Sequence, residues 1–334
     1  MRWTLIGASD IAATRVIPAM REVGHEVVGV MSSSAERAER YAVANGLARQ
    51  TDALGDALAW DADAVYISTT NAFHRDQAIE AMRAGRHVLC EKPLALEVDD
   101  ALAMIAAARE ADVVLGTNHH LRCAATLRTV ARLVADGRIG EIVSVRVNHA
   151  VVLPERLRGW RLDRSIPGAG VVLDIAVHNA DVVRFVTGAE VEQVATFVAN
   201  SGLADGEVED AAMTVARLRG GALATTHETF TVPYADTAVE VHGRLGSIYA
   251  IGVLTQDPVG TVVVRTSSGD EHVEVGERED LYVVALREFA AAAKGDGRPA
   301  ATGEDGAASL AIALAALESA RTGSAERPVF QVAA

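Results

Sequence analysis

A lysine just after a strand-like run, a carboxylate and an imidazole one helical turn apart, and a glycine-led turn are the groups here whose types and spacing suggest chemistry. Lys92 lies in Glu91-Lys92-Pro93, directly after the apolar run His87–Cys90. A lysine there could protonate or polarise a carbonyl oxygen that is receiving hydride. Asp174 and His178 fall four positions apart in a helical pattern, so they share a face. A carboxylate and an imidazole on that face could grip a diol and relay a proton. The turn Gly7-Ala8-Ser9-Asp10-Ile11-Ala12 follows the first strand-like run and is a variant of G-x-G-x-x-G/A. Gly7 permits the tight turn, and Ala12 allows close helix–strand packing. Ser9 offers a hydroxyl to a pyrophosphate, and the amides opening the helix from Ile11 supply an anion site. Each feature also has a plain structural explanation: a loop tripeptide, a surface pair and an ordinary βα turn.

The end of the second strand bears on which dinucleotide fits. Domains that bind NAD place Asp or Glu about 20 residues after the glycine motif, where it holds the ribose hydroxyls. Here Val27–Met31 runs into Ser32-Ser33-Ser34 and then Arg37, with no acid at the strand terminus. Hydroxyls and a guanidinium suit a 2′-phosphate, which a carboxylate would repel. The expected cofactor is therefore NADP(H), held at that end by Ser32, Ser33 and Arg37. The competing reading makes one of the serines a helix cap and Arg37 a solvated residue, and leaves Glu36 able to reach a ribose.

The elements that must carry these groups follow from periodicity. Strand candidates Trp3–Ile6, Val27–Met31, Ala64–Ser68, His87–Cys90 and Val113–Gly116 alternate with helical patterns. Of these, Ile11–Val23, Ala35–Asn45 and Asn71–Ala84 stop at Gly24, Gly46 and Gly85. That order predicts βαβ units on a parallel sheet whose ligand crevice opens at the carboxyl ends of the strands. After Thr117 a helix Ala124–Ala135, a strand Ile142–His149 and a helix Val171–Phe185 precede seven strand-like runs between Val191 and Val275. No helix interrupts those runs, which predicts an antiparallel sheet. Helices Leu281–Ala293 and Asp305–Arg321 and a segment Pro328–Val332 close the chain. The predicted class is α/β: a doubly wound Rossmann domain over 1–120, then an α+β domain over 121–334 with a large open, mostly antiparallel sheet.

Composition excludes other classes. The 334 residues carry a net charge of −14 and 4% aromatics, which argues against a nucleic-acid partner and a base-stacking surface. Apolar stretches such as Ala101–Ala108 and Leu310–Leu317 fall short of the ~20 residues a membrane span needs. The amino terminus shows no signal-peptide pattern, so the expectation is a cytoplasmic protein without a membrane partner. Two cysteines and the adjacent pair His119-His120 do not make a zinc site, and no metal is expected.

Taken together, the glycine-variant turn, Glu91-Lys92-Pro93 and the Asp174–His178 pair resemble the Gfo/Idh/MocA family of oxidoreductases. Stretches such as WTLIGASDIA, MSSSAER, VYISTTNAFHR, AGRHVLCEKPLA, VVLGTNHHLR, GWRL, LDIAVHNAD and ATGEDG carry the likeness along essentially the whole chain. It implies cofactor contacts at Gly7, Ala8, Ser9, Asp10, Ile11, Ala12, Ser32, Ser33, Arg37, Thr69, Thr70, Asn71, His74, Glu91 and Lys92. It also implies that Asn118, Trp160, Arg161 and Tyr282 line the cofactor and substrate cleft and that the Lys92–Pro93 bond is cis. The implied activity is NADPH-dependent reduction of a keto-sugar, with Lys92 or His178 giving the proton and Asp174 and Trp160 meeting the substrate. Asp10 departs from the small hydroxyl residue of similar sequences. The alternatives are an NAD(P)-dependent sugar or inositol dehydrogenase running oxidatively and a non-catalytic dinucleotide-binding regulator. Either a monomer or a homo-oligomer is compatible with the sequence.

Overall fold

The computed structural model describes residues 1–204 and 206–330. Among them the chain divides into two compact units, Met1–His120 with Asp280–Ala307, and Leu121–Glu279 with the stretch from Ala308 on. The single second domain expected over 121–334 is thereby corrected for Asp280–Ala307. Trp3 and Phe289 explain why that segment packs in the first unit: both are fully buried and their rings lie 5.2 Å apart.

In the first unit, strands Arg2–Ile6 (β1), Glu26–Met31 (β2), Arg49–Thr51 (β3), Ala64–Ile67 (β4), His87–Cys90 (β5) and Leu115–Thr117 (β6) form a sheet of order β3-β2-β1-β4-β5-β6, with every pair parallel. This doubly wound order reverses direction between β1 and β4, so the crevice at the carboxyl ends of those strands is the ligand position. Strands β1 and β4 are buried on both faces, which is why they read as unbroken apolar runs. Gly46 takes φ +62° and closes the helix Ala35–Asn45, its neighbour Leu47 giving its N–H to Ala42 at 2.9 Å. The helix expected over Ile11–Val23 contains a π-helical stretch at Ala12–Val16 before an α-helix at Ile17–Glu22. Pro18 supplies the reason, since it has no N–H for Thr14 and its ring crowds that carbonyl. The edge strand β6 is covered by the returning chain, with Thr117 donating its backbone N–H to the Ala301 carbonyl and its hydroxyl to the Thr302 carbonyl.

The second unit holds an eight-stranded sheet made of Ile142–Ala150 (β7), Val191–Ala199 (β8), Ala211–Leu218 (β9), Leu223–Thr229 (β10), Ala238–Gly243 (β11), Gly246–Ile251 (β12), Thr261–Thr266 (β13) and Gly269–Val273 (β14). Its order is β14-β13-β12-β11-β7-β10-β9-β8. All pairs are antiparallel except β7 with β10. Inner-face residues such as Val145, Val147, Ala224, Val239, Val241 and Ile248 are buried, and the helix from Val172 to Thr187 packs on that face through β7 and β10. No helix among the described residues is long and apolar enough to cross a membrane. Of the expected closing segment Pro328–Val332, Gln331 and Val332 lie outside the described residues.

Candidate functional site

The glycine-led turn leaves β1 at its carboxyl end. Gly7 adopts φ +115°, and a Cβ there would come within 2.8 Å of the Ser68 carbonyl carbon and the Thr69 nitrogen at the end of β4. Only glycine fits that approach. Ser9 caps the next helix, accepting from the Ala12 N–H at 3.2 Å while donating to the Ser68 hydroxyl at 2.7 Å. Asp10 is exposed, and the helix cap comes from Ser9. The Arg37 guanidinium donates to the Ala8 carbonyl at 3.0 Å, and the Tyr41 hydroxyl donates to the Ser9 carbonyl at 2.9 Å. Burial, followed by the charge of Asp10, raises the Tyr41 phenol and keeps it a neutral donor.

At the end of β2 both readings of the serines have a place. Ser34 caps the helix Ala35–Asn45 by accepting from the Arg37 N–H at 3.3 Å. Ser32 is buried and Ser33 is exposed. Glu36, the acid that might have reached a ribose, is paired with Arg40 one turn along the same helix.

The loops after β4 and β5 are tied together from within. His74 is fully buried, with Nδ1 3.0 Å from the Pro93 carbonyl and Nε2 3.2 Å from the Thr69 carbonyl. Burial lowers its pKa, and the nearby Lys92 charge adds to the effect. A ring so enclosed holds together the loops that carry Thr69 and Lys92. Thr69 donates to Gln77 at 2.7 Å, and the Phe73 N–H donates to the Thr70 carbonyl at 3.0 Å. The Asn71 side-chain nitrogen is buried with no hydrogen-bond partner among the described residues.

Glu91 follows β5. Its Oε1 accepts from the Tyr66 hydroxyl at 2.5 Å and from the Asn118 amide at 2.6 Å. Tyr66 is fully buried, and burial together with the Glu91 charge holds its phenol well above the usual range. The carboxylate is thus fixed beside Lys92, whose bond to Pro93 is cis. Tyr282, expected to line the cleft, is 1% exposed, with its ring stacked on His120 at 5.1 Å.

In the second unit Asp174 lies in a π-helical stretch, Val172–Ala176, and His178 lies in the α-helix Val177–Thr187 that continues it. Both are buried. A π-turn in a helix recurs at functional positions, and one occurs here in the helix carrying each group of candidate residues. The helix start is held by Glu209, whose Oε1 accepts from the Val172 N–H at 3.1 Å. Asp174 Oδ2 accepts from Arg161 Nε at 2.8 Å, and the Arg161 guanidinium lies 4.6 Å from the Trp160 ring centre. The Gly170 N–H donates to the Arg161 carbonyl at 2.9 Å. Trp160 and Arg161 are therefore fastened to the helix that bears Asp174.

Tyr66, Ser68, Tyr41 and Gln77 escaped the sequence reading. Tyr66 gave one usable signal, a hydroxyl-bearing aromatic inside an otherwise aliphatic buried strand, since a buried Tyr O–H needs a partner. The others have no signal apart from the fold.

Residues of the first unit fit a dinucleotide. The turn at Gly7 presents the opening amides of a helix, and the buried Asn71 amide is a donor with no acceptor among the described residues. The comparisons agree. The sequence model of the oxidoreductase family with an NAD-binding Rossmann fold matches residues 1–119, and that of the GFO/IDH/MocA C-terminal domain matches residues 127–249. A 1,5-anhydro-D-fructose reductase of Ensifer adhaerens is 48% identical over 328 residues, 97% of each chain. A myo-inositol 2-dehydrogenase of Thermotoga maritima is 31% identical over 268 residues, 77% of each chain. Among solved structures, the WlbA dehydrogenase of Bordetella pertussis in complex with NADH and UDP-GlcNAcA superposes with a TM-score of 0.85 at 27% identity, covering 99% of this chain and 98% of that one. With both parts of the chain matched and the dinucleotide turn in place, the protein belongs to the Gfo/Idh/MocA family of oxidoreductases.

Proposed function

We propose that the protein is an NADPH-dependent keto-sugar reductase that converts 1,5-anhydro-D-fructose to 1,5-anhydro-D-mannitol. The observation that carries this reading is the 48% identity, over 97% of both chains, to a reductase of that sugar. NADP(H) is favoured over NAD(H) by the absence of a carboxylate at the end of β2. Ser32, Ser33 and Arg37 stand there instead, and Glu36 is engaged by Arg40. Arg37, already tethered to the Ala8 carbonyl, brings positive charge to the turn of a protein whose net charge is −14.

Ala8, Ser9, Asp10, Ile11 and Ala12 would hold the pyrophosphate, Thr69, Thr70 and Asn71 the part of the dinucleotide beyond it, and Glu91 and Asn118 its reactive end. When bound, the reduced dinucleotide supplies hydride to the C2 carbonyl. The protein's own contribution is the accompanying proton. Lys92 holds it on Nζ and gives it to the carbonyl oxygen, with His178 as the alternative donor. Asp174, its charge balanced by Arg161, remains an acceptor for a sugar hydroxyl or for the His178 ring. Trp160 offers an apolar wall to the sugar ring.

The 31% identity to a myo-inositol 2-dehydrogenase favours a second reading, oxidation of a polyol by the same residues in reverse. A panel of keto-sugars with NADPH and NADH, run beside polyols with NADP⁺ and NAD⁺, separates the two. Fastest turnover of 1,5-anhydro-D-fructose with NADPH is expected. Preferential oxidation of an inositol with NAD⁺ would replace this reading by the second, and no turnover of any sugar would leave the dinucleotide-binding regulator.

A further inference from the structure

Beneath the helix that carries His178, the sheet of the second unit contains a buried polar chain that the proposed reaction does not use. Strands β7 and β10 run parallel, and their register sets His149 directly beside Glu228. Both side chains point to the inner face, His149 at 6% exposure and Glu228 at 0%. From the helix, Asn179, also at 0%, reaches down to both. Its Oδ1 lies 2.9 Å from His149 Nδ1, and its Nδ2 donates to Glu228 Oε1 at 3.0 Å. An amide oxygen only accepts, so His149 carries its proton on Nδ1; an amide nitrogen only donates, so Glu228 must accept. One carboxamide therefore spans two neighbouring strands from the helical position next to His178.

The surroundings of Glu228 are otherwise poor in charge. Its register partner on the other flanking strand, β9, is Ala212. The acids on the helix above are already paired, Asp174 with Arg161 and Asp181 with Arg122. His149 is the one titratable group set beside it by the register. Burial pushes the Glu228 carboxyl up to about 7, against hydrogen bonds with Thr226 and Asn179 that pull it down. Glu228 Oε2 is buried with no hydrogen-bond partner among the described residues, while the two bonds to Asn179 tie the three residues into one arrangement of the elements that bear them.

We propose that His149, Asn179 and Glu228 are positioning residues for His178, the Asn179 carboxamide fixing the helical turn on the β7–β10 seam and Glu228 transmitting its protonation state to that turn. The inference rests on the role given to His178 above, and its test separates the two. The full chain, labelled with ¹⁵N-histidine, is titrated through the neutral range, with the His178 ring signal assigned by its loss in His178→Gln. Beside the inflection of its own ring, the His178 signal is expected to show a second one near pH 7 that vanishes in Glu228→Gln, a variant that keeps the acceptor for Asn179 but cannot titrate. Asn179→Ser breaks both bonds; it should lower kcat roughly tenfold to a hundredfold, the scale of a small misplacement of a reacting group, with the Kd for NADPH unchanged. A second inflection that persists in Glu228→Gln, or was never present in the unaltered chain, overturns the proposal even if Asn179→Ser fails to fold. Absence of keto-sugar turnover in the unaltered chain would refute the proposed function instead, and the ring signal would still decide this one.

Discussion

Replacing Tyr66 by Phe removes one oxygen from the centre of the first unit and tests how the Lys92 loop is held. The hydroxyl lost is a 2.5 Å donor to Glu91 Oε1, leaving Asn118 at 2.6 Å on the same oxygen. A hydrogen bond to a charged group contributes about 1.5–3 kcal/mol. The ring itself stays, so no cavity larger than the hydroxyl opens. Stability should fall by about that range, seen as a loss of roughly 2–4 °C in Tm per kcal/mol for a protein part of this size. The kinetic consequence is separate. With Glu91 freed to rotate, Lys92 at the next position loses its fixed approach, and kcat should drop about tenfold or more. A double-mutant cycle with Glu91→Ala, which removes the acceptor, isolates the contact. Coupling of about 1.5–3 kcal/mol in unfolding free energy is expected. Additivity within about 0.5 kcal/mol, together with unchanged kcat, would refute the claim that Tyr66 holds this loop in place.

Other outcomes follow from the same geometry. Lys92→Met should leave NADPH binding, measured by fluorescence titration, intact and cut turnover by about a hundredfold or more; undiminished turnover would remove Lys92 from the reaction. Arg37→Leu should raise the KM for NADPH by about tenfold or more while changing that for NADH little, because only the former carries the phosphate the guanidinium would meet; equal effects on both would contradict the phosphate role. Arg122→Met removes two bonds of 2.8 and 2.6 Å from the buried Asp181 carboxylate, leaving Arg184 at 3.9 Å, and should cost about 3–5 kcal/mol in denaturant unfolding. His25 has its pKa lowered from 6.5 to about 4, chiefly by burial, then by the amino-terminal and Lys294 charges. Its Nδ1 accepts from the Trp3 ring N–H at 3.1 Å, which requires the neutral imidazole. Below pH 6.5 the unfolded chain takes up a proton that the folded one refuses down to about 4, so stability falls with pH across that window. His25→Gln should flatten Tm between those limits and leave it pH-independent of residue 25 above them; an unaltered profile would contradict this.

How far the sequence shows its own structure differs by element. The turn at Gly7 and the Lys92 loop were legible because each follows a strand buried on both faces, and such strands read as short apolar runs bounded by turn residues. Strand β3 was not, since Arg49–Thr51 is three polar residues with little burial, and the sheet edge it occupies imposes no pattern. The parallel seam between β7 and β10 was hidden for a different reason: periodicity fixes which face a residue takes, and pairing across the intervening strands is decided by the whole sheet. For the same reason no local pattern shows that His74 lies between two loop carbonyls or that Tyr282 stacks on His120. The return of Asp280–Ala307 to the first unit likewise depends on Trp3 meeting Phe289, a contact no local window contains.

The central claim, reduction at C2 of 1,5-anhydro-D-fructose with NADPH, is tested most directly by following the hydride. NADPH carrying deuterium at C4 of the nicotinamide is mixed with the protein and the ketose, and the product is read by ²H and ¹³C NMR. The account predicts 1,5-anhydro-D-mannitol with deuterium at C2, formed faster than with NADH. An unlabelled ketose after long incubation, or label delivered only to a different sugar, would contradict it.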